Sequence, residues 1–161
     1  QAFLKMKPGE ILKNANNQLE ENNHEGMFIT AFLGILNVNT GEFEYSNAGH
    51  NVPYLCKKSG EVIPIPVKSG FVLAGMRNIR YKTEKIILEK REKLILYTDG
   101  ITEAENPQKD MYGAERLMEA LGDCTEKTVD ETVRKIVVSV ENFAQDSEQA
   151  DDITVLAVER L

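Results

Sequence analysis

Two acidic residues stand where apolar segments begin and end. In "LILYTDGITEAENP" (residues 94–107), Leu94, Ile95 and Leu96 read as the middle of a buried strand, and Asp99 and Gly100 follow after only two more residues. Asp151 and Asp152 directly precede a second apolar run, Ile153–Val158. If the two strands are neighbours, Asp99 and Asp151 converge at one sheet edge, and converging carboxylates need a cation between them. Oxygen ligands with no histidine or thiol nearby favour hard ions, Mg²⁺ or Mn²⁺, over zinc or copper. Both positions also suit ordinary roles: an Asp after a strand commonly forms a turn or caps a helix, and an acid before a strand commonly faces water. Spacing by itself leaves both readings open.

The elements that must position these acids are legible in the pattern. Residues 8–22 read as a helix, with Pro8 suited to a first turn and Ile11, Leu12, Ala15 and Leu19 on one face. Met27–Val38 is β-branched and aromatic on both alternating faces, which predicts a strand covered on two sides. Asn39-Thr40-Gly41 then turns the chain into EFEYSNA, where Phe43 and Tyr45 alternate with polar residues. Further short strands are expected at Val52–Lys57, Glu61–Ile65, Tyr81–Leu88 and Lys93–Thr98, which implies antiparallel pairing. A helix over Met111–Leu121 runs up to Gly122. Another opens at Thr128-x-x-Glu131, a capping-box pattern, before the closing strand Ile153–Val158. Strands, then helices, then a strand make an α+β layered fold.

The chain has 161 residues, 42% of them hydrophobic and 28% charged, enough for one domain with its own core. A formal net charge of -7 disfavours nucleic-acid phosphates or an anionic membrane as partner and suits cations or basic surfaces. No apolar run approaches the roughly 20 residues that span a bilayer. Cys56 and Cys124 lie far apart and match no zinc or redox spacing, which reads as reduced thiols in a cytoplasmic protein, with a disulfide between them the open alternative. A chain beginning at Gln1 rather than Met reads as excised from something longer.

Four stretches taken together, "MFITAFLGILNVNTGEFEYSNAGHNVPYL", "LILYTDGITEAEN", "MYGAERL" and the terminal "DDITVLAVER", resemble the metal-dependent serine/threonine phosphatases of the type 2C superfamily. Within it they are most similar to the bacterial SpoIIE/RsbU-like branch, which acts on partner-switching regulators of sigma factors. The resemblance runs from about residue 8 to the C-terminus. It implies an antiparallel β-sandwich with flanking helices and a two-metal site, Mg²⁺ or Mn²⁺, that hydrolyses phosphoserine or phosphothreonine through metal-bound water. By motif match Asp99 and Asp151 are the implied metal ligands and carry the catalysis, with Asp152 and Gly100 as their neighbours. The implied substrate is a phosphoprotein such as an anti-sigma-factor antagonist.

The chain also departs from that branch. Its members carry, upstream of the matched region, a "GDFYD"-like strand and a "D-x-S-G-x-G" segment that supply further aspartates. Neither occurs here, and residues 1–26 contain no Asp. Residues 1–161 are therefore expected to form the C-terminal portion of a single phosphatase domain, N-terminally truncated, binding metal weakly and inactive alone. The alternative is a degenerate phosphatase domain that works as a non-catalytic interaction module. An edge left open by missing strands predicts self-association.

His50 in "SNAGHN" has two readings. Related enzymes carry an acid at the corresponding strand end that can reach an additional metal. The other reading, which is the expectation, is a histidine that hydrogen-bonds its own loop, with Gly49 supplying a permissive backbone angle. Thr102 and Glu103 are expected to serve the turn or helix after the strand, Tyr97 and the methionines to lie in the core, and Asn106–Met111 to be a solvated connector.

Overall fold

The structure is a computed structural model that describes residues 6–21, 23–68, 70–149 and 151–161. In chain order the elements are α1 (Pro8–Glu21), β1 (Ala31–Leu36), β2 (Glu42–Ala48), β3 (Tyr54–Cys56), β4 (Val62–Pro64), β5 (Glu84–Ile87) and β6 (Lys93–Tyr97). They continue with α2 (Asp99–Thr102), α3 (Gly113–Ala120), α4 (Val129–Ala144) and β7 (Val155–Glu159). They fall into two compact units: the residues up to His50 with Pro66–Ile87, and Asn51–Ile65 with Leu88–Leu161. Each has one antiparallel sheet, ordered β1-β2-β5 in the first unit and β4-β3-β6-β7 in the second. The expected combination of antiparallel sheets and helices is what the chain adopts.

In the first unit α1 lays Leu12 against Ala48, Leu73 and Tyr81. Buried Asn16 fastens the helix to a loop, accepting from the Ala74 amide at 3.0 Å and donating to the Met76 carbonyl at 2.9 Å. Phe43 and Tyr45 of β2 stack with Phe32 of β1, and the Tyr45 hydroxyl donates to the Pro66 carbonyl at 2.6 Å. The one-face-buried alternation expected of β2 holds through Tyr45 but not beyond, because Ser46, expected on the open face with Glu42 and Glu44, is buried.

β1 does not meet expectation. The strand is only Ala31–Leu36, it forms an edge of its sheet, and Met27, Phe28, Ile35 and Val38 are exposed. An apolar run is buried on two faces only where other elements pack over both, and no residue of β1 is fully buried. Four methionines, Met27, Met76, Met111 and Met118, are likewise exposed rather than in the core, while Tyr97 is buried.

In the second unit β6 lies between β3 and β7, and Ile95 and Tyr97 pack with Tyr54, Ile101, Tyr112, Leu117, Ile136 and Val140. Thr128 and Glu131 form the expected capping box: the Glu131 amide donates to Thr128 Oγ1 at 3.2 Å, and Glu131 Oε2 accepts from the Thr128 amide at 2.8 Å. Tyr112 joins α3 to α4 through Ser139 at 2.7 Å and an edge contact with Phe143. The cysteines correct the sequence reading. Cys56, at the end of β3, and Cys124, in the α3–α4 connection, are joined as a disulfide with Cα atoms 6.5 Å apart. Their separation of 68 residues hides a proximity that only the packing of α3 and α4 beside β3 creates.

Burial, with the Glu84 carboxylate adding to it, pushes the Tyr45 phenol from 10.0 up to about 12. Burial also raises Tyr81, Tyr97 and Tyr112. The folded chain holds these protons more tightly than the unfolded one, so the unfolded state loses protons first as pH rises above 10. Stability is therefore expected to be unaffected by these groups below pH 10 and to fall between 10 and about 12. Near-ultraviolet phenolate absorbance should show a late-titrating component that Tyr45→Phe diminishes. Complete titration at the ordinary value with the fold intact would contradict the burial of these rings.

Candidate functional site

Strand pairing brings the acids together. β6 and β7 run antiparallel from Lys93↔Glu159 to Tyr97↔Val155, so β6 finishes where β7 starts. One residue further, the Thr98 amide donates to the Thr154 carbonyl at 3.1 Å. The Thr98 hydroxyl does two things at once: it donates to the Asp152 carbonyl at 2.8 Å and accepts from the Thr154 amide at 2.9 Å. Thr98 is also the N-cap of α2, yet its side chain makes no cap bond, because the hydroxyl is committed across the strands.

Asp99 therefore opens α2 directly beside the segment that carries Asp151 and Asp152. Gly100 explains how closely the two segments approach. A Cβ there would lie 2.5 Å from the Asp152 carbonyl oxygen and 3.1 Å from that of Asp151, so only a glycine backbone fits. Asp99 Oδ1 accepts from the Gly100 amide at 3.1 Å, and Asp151 Oδ1 accepts from the Asp152 amide at 2.7 Å. Asp99 is half-buried, whereas Asp151 and Asp152 are exposed. Of the expected site residues, the structure assembles Asp99, Gly100, Asp151 and Asp152 at one end of the second sheet. His50 belongs to the first unit. Its Nδ1 lies 3.2 Å from Thr30 Oγ1, its amide donates to Asn47 Oδ1 at 2.7 Å, and Asn47 Nδ2 donates to its carbonyl at 2.7 Å. Gly49 takes the expected permissive angle, φ 74°, but the ring contact reaches Thr30, 20 residues away, and it is the Asn47 side chain that holds the backbone of the loop.

Thr102 and Glu103 serve the short helix, the Thr102 hydroxyl and the Glu103 amide both donating to the Asp99 carbonyl, at 3.3 and 2.8 Å. The 106–111 connector is held by Asn106, whose Oδ1 accepts from the Gln108 and Asp110 amides at 3.0 and 2.8 Å. Sequence reading missed a cavity of about 160 Å³ beside Asp151, to which the end of α4 and residues 145–149 contribute. Its apolar lining includes Ala104, Val140 and Ile153, and Glu103, Glu141 and Glu148 border it. Nothing in the spacing of Glu141 and Glu148 signals this, because their convergence depends on how α4 ends.

The donor chemistry at Asp99 and Asp151 is that of a hard-ion site, oxygen only. The set is incomplete: among the described residues no group of three or more His, Cys, Asp or Glu side chains is arranged to hold a metal ion. No catalytic step through a metal follows from these residues alone. What they offer is an acidic strand end beside a concavity.

The model of the family described as Stage II sporulation protein E (SpoIIE) matches residues 1–161. Protein IcfG of Synechocystis is 34% identical over 142 residues, covering 87% of this chain and 22% of its own length. Phosphoserine phosphatase RsbU of Bacillus subtilis is 31% identical over 156 residues, covering 95% of this chain and 45% of its own. The chain thus spans less than half the length of either relative. Among solved structures, the SiaA-PP2C domain of Pseudomonas aeruginosa superposes with a TM-score of 0.81 at 18% identity, covering 95% of this chain and 61% of that one. The phosphatase domain of SpoIIE from Bacillus subtilis, presoaked with Mn, gives 0.66 at 16% identity, with 96% and 67% covered.

The close approach at Gly100 and the Thr98 clasp generate one prediction. Gly100→Ala should destabilise the chain by about 1–3 kcal/mol through overpacking against backbone atoms that cannot yield. Thr98→Val, which keeps the shape and removes the two hydroxyl bonds while leaving the amide bond to Thr154, should cost a similar amount, roughly 1–3 kcal/mol. Urea unfolding measures both, and wild-type midpoints would contradict the described geometry.

Proposed function

The chain belongs to the SpoIIE family, and on that footing we propose that it is the C-terminal portion of one metal-dependent protein serine/threonine phosphatase domain. The observation that carries this reading is the Thr98 clasp, which sets Asp99 and Asp151 at one strand end. In this reading both aspartates are ligands to Mg²⁺ or Mn²⁺, Gly100 and Asp152 shape the edge they share, and His50 supports its loop. When bound, such ions supply activated water and offset phosphoryl charge. Two aspartates are a sparse ligand set for such ions, so the 161 residues are expected to bind metal weakly and not to turn over substrate alone.

The proposed substrate is a phosphorylated regulatory protein of the kind an anti-sigma-factor antagonist represents, in the cytoplasm. Support comes from the similarity to phosphoserine phosphatase RsbU and from a neighbour described as the RsbU and RsbW domains of Rv1364c from Mycobacterium tuberculosis, with a TM-score of 0.71. Among the described residues no helix is long and apolar enough to cross a membrane. Copies of the chain are expected to self-associate through the exposed β1 edge, and a monomeric mass by light scattering at tens of micromolar would count against this. The incomplete ligand set favours a second reading, a non-catalytic interaction module.

Calorimetric titration with Mn²⁺ and a phosphoserine-peptide assay test the proposal together. Weak binding is expected, lost on Asp99→Asn or Asp151→Asn, with no turnover by the 161 residues and with turnover by the parent protein. Mn²⁺ binding unchanged by both substitutions would remove these residues from the site. Near-normal turnover by the 161 residues would contradict a sparse ligand set, and an inactive parent protein would favour the interaction module.

A further inference from the structure

The Cys56–Cys124 pair has no part in the proposed site, yet it is built into the same core. Cys56 pairs with Lys93, the first residue of β6 and the end opposite Asp99, and both cysteines belong to the buried cluster that also holds Ile95, Tyr97 and Ile101. Cys124 lies in a turn, buried itself at 1% exposure between exposed Gly122 and Glu126. The turn has non-covalent ties as well. The Thr125 hydroxyl donates to the Lys57 carbonyl at 3.2 Å, and Asp123 accepts from Lys135 at 2.5 Å and pairs with Lys127 at 3.4 Å. Of these, the Thr125–Lys57 bond is a second tie between the turn and the segment after β3, independent of the disulfide. A Cα separation of 6.5 Å lies within the span a disulfide needs.

We propose that Cys56–Cys124 is a reversible thiol–disulfide switch whose oxidised form clamps the α3–α4 connection to β3 and whose reduced form loosens the packing at the Lys93 end of β6. The turn is the route of attack, because its local opening exposes Cys124 before any strand must separate. A small-molecule thiolate attacks the Cys124 sulfur, forming a mixed disulfide and releasing Cys56 as a thiolate that takes a proton from water. A second small-molecule thiol then attacks the small-molecule sulfur, releasing the Cys124 thiol and a small-molecule disulfide. Two thiols thus supply the two electrons that reduce the cystine, and the small-molecule disulfide drives the reverse. A reducing compartment keeps the pair open until oxidised small-molecule disulfide accumulates.

The test uses the 161-residue chain equilibrated in reduced or oxidised glutathione. Alkylation followed by mass measurement should count no thiols in the oxidised chain and two in the reduced one, reversibly. Reduction should lower the melting midpoint by on the order of 10 °C, since a long loop in the unfolded chain is no longer closed. It should also speed tryptic cleavage at Lys127 about tenfold and raise amide exchange over residues 54–56 and 93–95. Cys56→Ala/Cys124→Ala should match the reduced chain in either buffer, and the reduced wild-type chain serves the same comparison if that variant does not fold. Thiols that stay alkylatable in oxidised glutathione, or equal cleavage and exchange in the two forms, would overturn the proposal. These readouts need no metal, so the phosphatase reading stands or falls separately.

Discussion

A single hydroxyl organises the end of the second sheet. Thr98 Oγ1 joins the Asp152 carbonyl to the Thr154 amide, and the same residue starts α2. The chain must therefore leave β6 in an extended conformation, turn into a helix within one residue, and do so against the backbone that enters β7. Gly100 is the consequence, because no side chain fits where the two segments meet. A local hydrogen-bonding need and a steric limit thus fix where two acids stand, before any ion is considered. With Glu103, Glu141 and Glu148 around the neighbouring cavity, the local charge is strongly negative. A phosphoryl group would be repelled from such a place unless cations lay between, as the proposed reading requires.

Much of this was legible in the sequence where the signal is local. The capping box at Thr128 and Glu131, the turn at Gly41 and the alternation of Phe43 and Tyr45 each depend on neighbours within a few residues, and each took the expected form. The expectation that Asp99 and Asp151 share a sheet edge also held, because an acid after one strand and an acid before its antiparallel neighbour must lie at the same end. The failures are all non-local. The apolar run at β1 looks the same whether or not a strand covers it, so its exposure could not be read from composition. Cys56 and Cys124 gave no spacing signal because the contact between them is made by β3 and a turn two helices' packing away. The cavity depends on the path of residues 145–149 after α4, which no periodicity encodes.

The disulfide and the acidic strand end draw on one set of buried side chains. Tyr97 and Ile101 flank Asp99, and they pack in the cluster that contains both cysteines. Changes at one end of that cluster are felt at the other because close-packed interiors relax poorly. Stability and ion binding in the second unit are for this reason expected to be linked, even though no side chain is shared between the disulfide and the candidate ligands.

The central claim is that Asp99 and Asp151 meet a hard cation together. The most direct measurement is paramagnetic broadening of amide signals from the isotopically labelled 161-residue chain as substoichiometric Mn²⁺ is added. The account predicts that Gly100 and Asp152 broaden first and in parallel. Early broadening confined to another acidic surface, such as the Asp123 turn, with Gly100 and Asp152 still sharp, would contradict it.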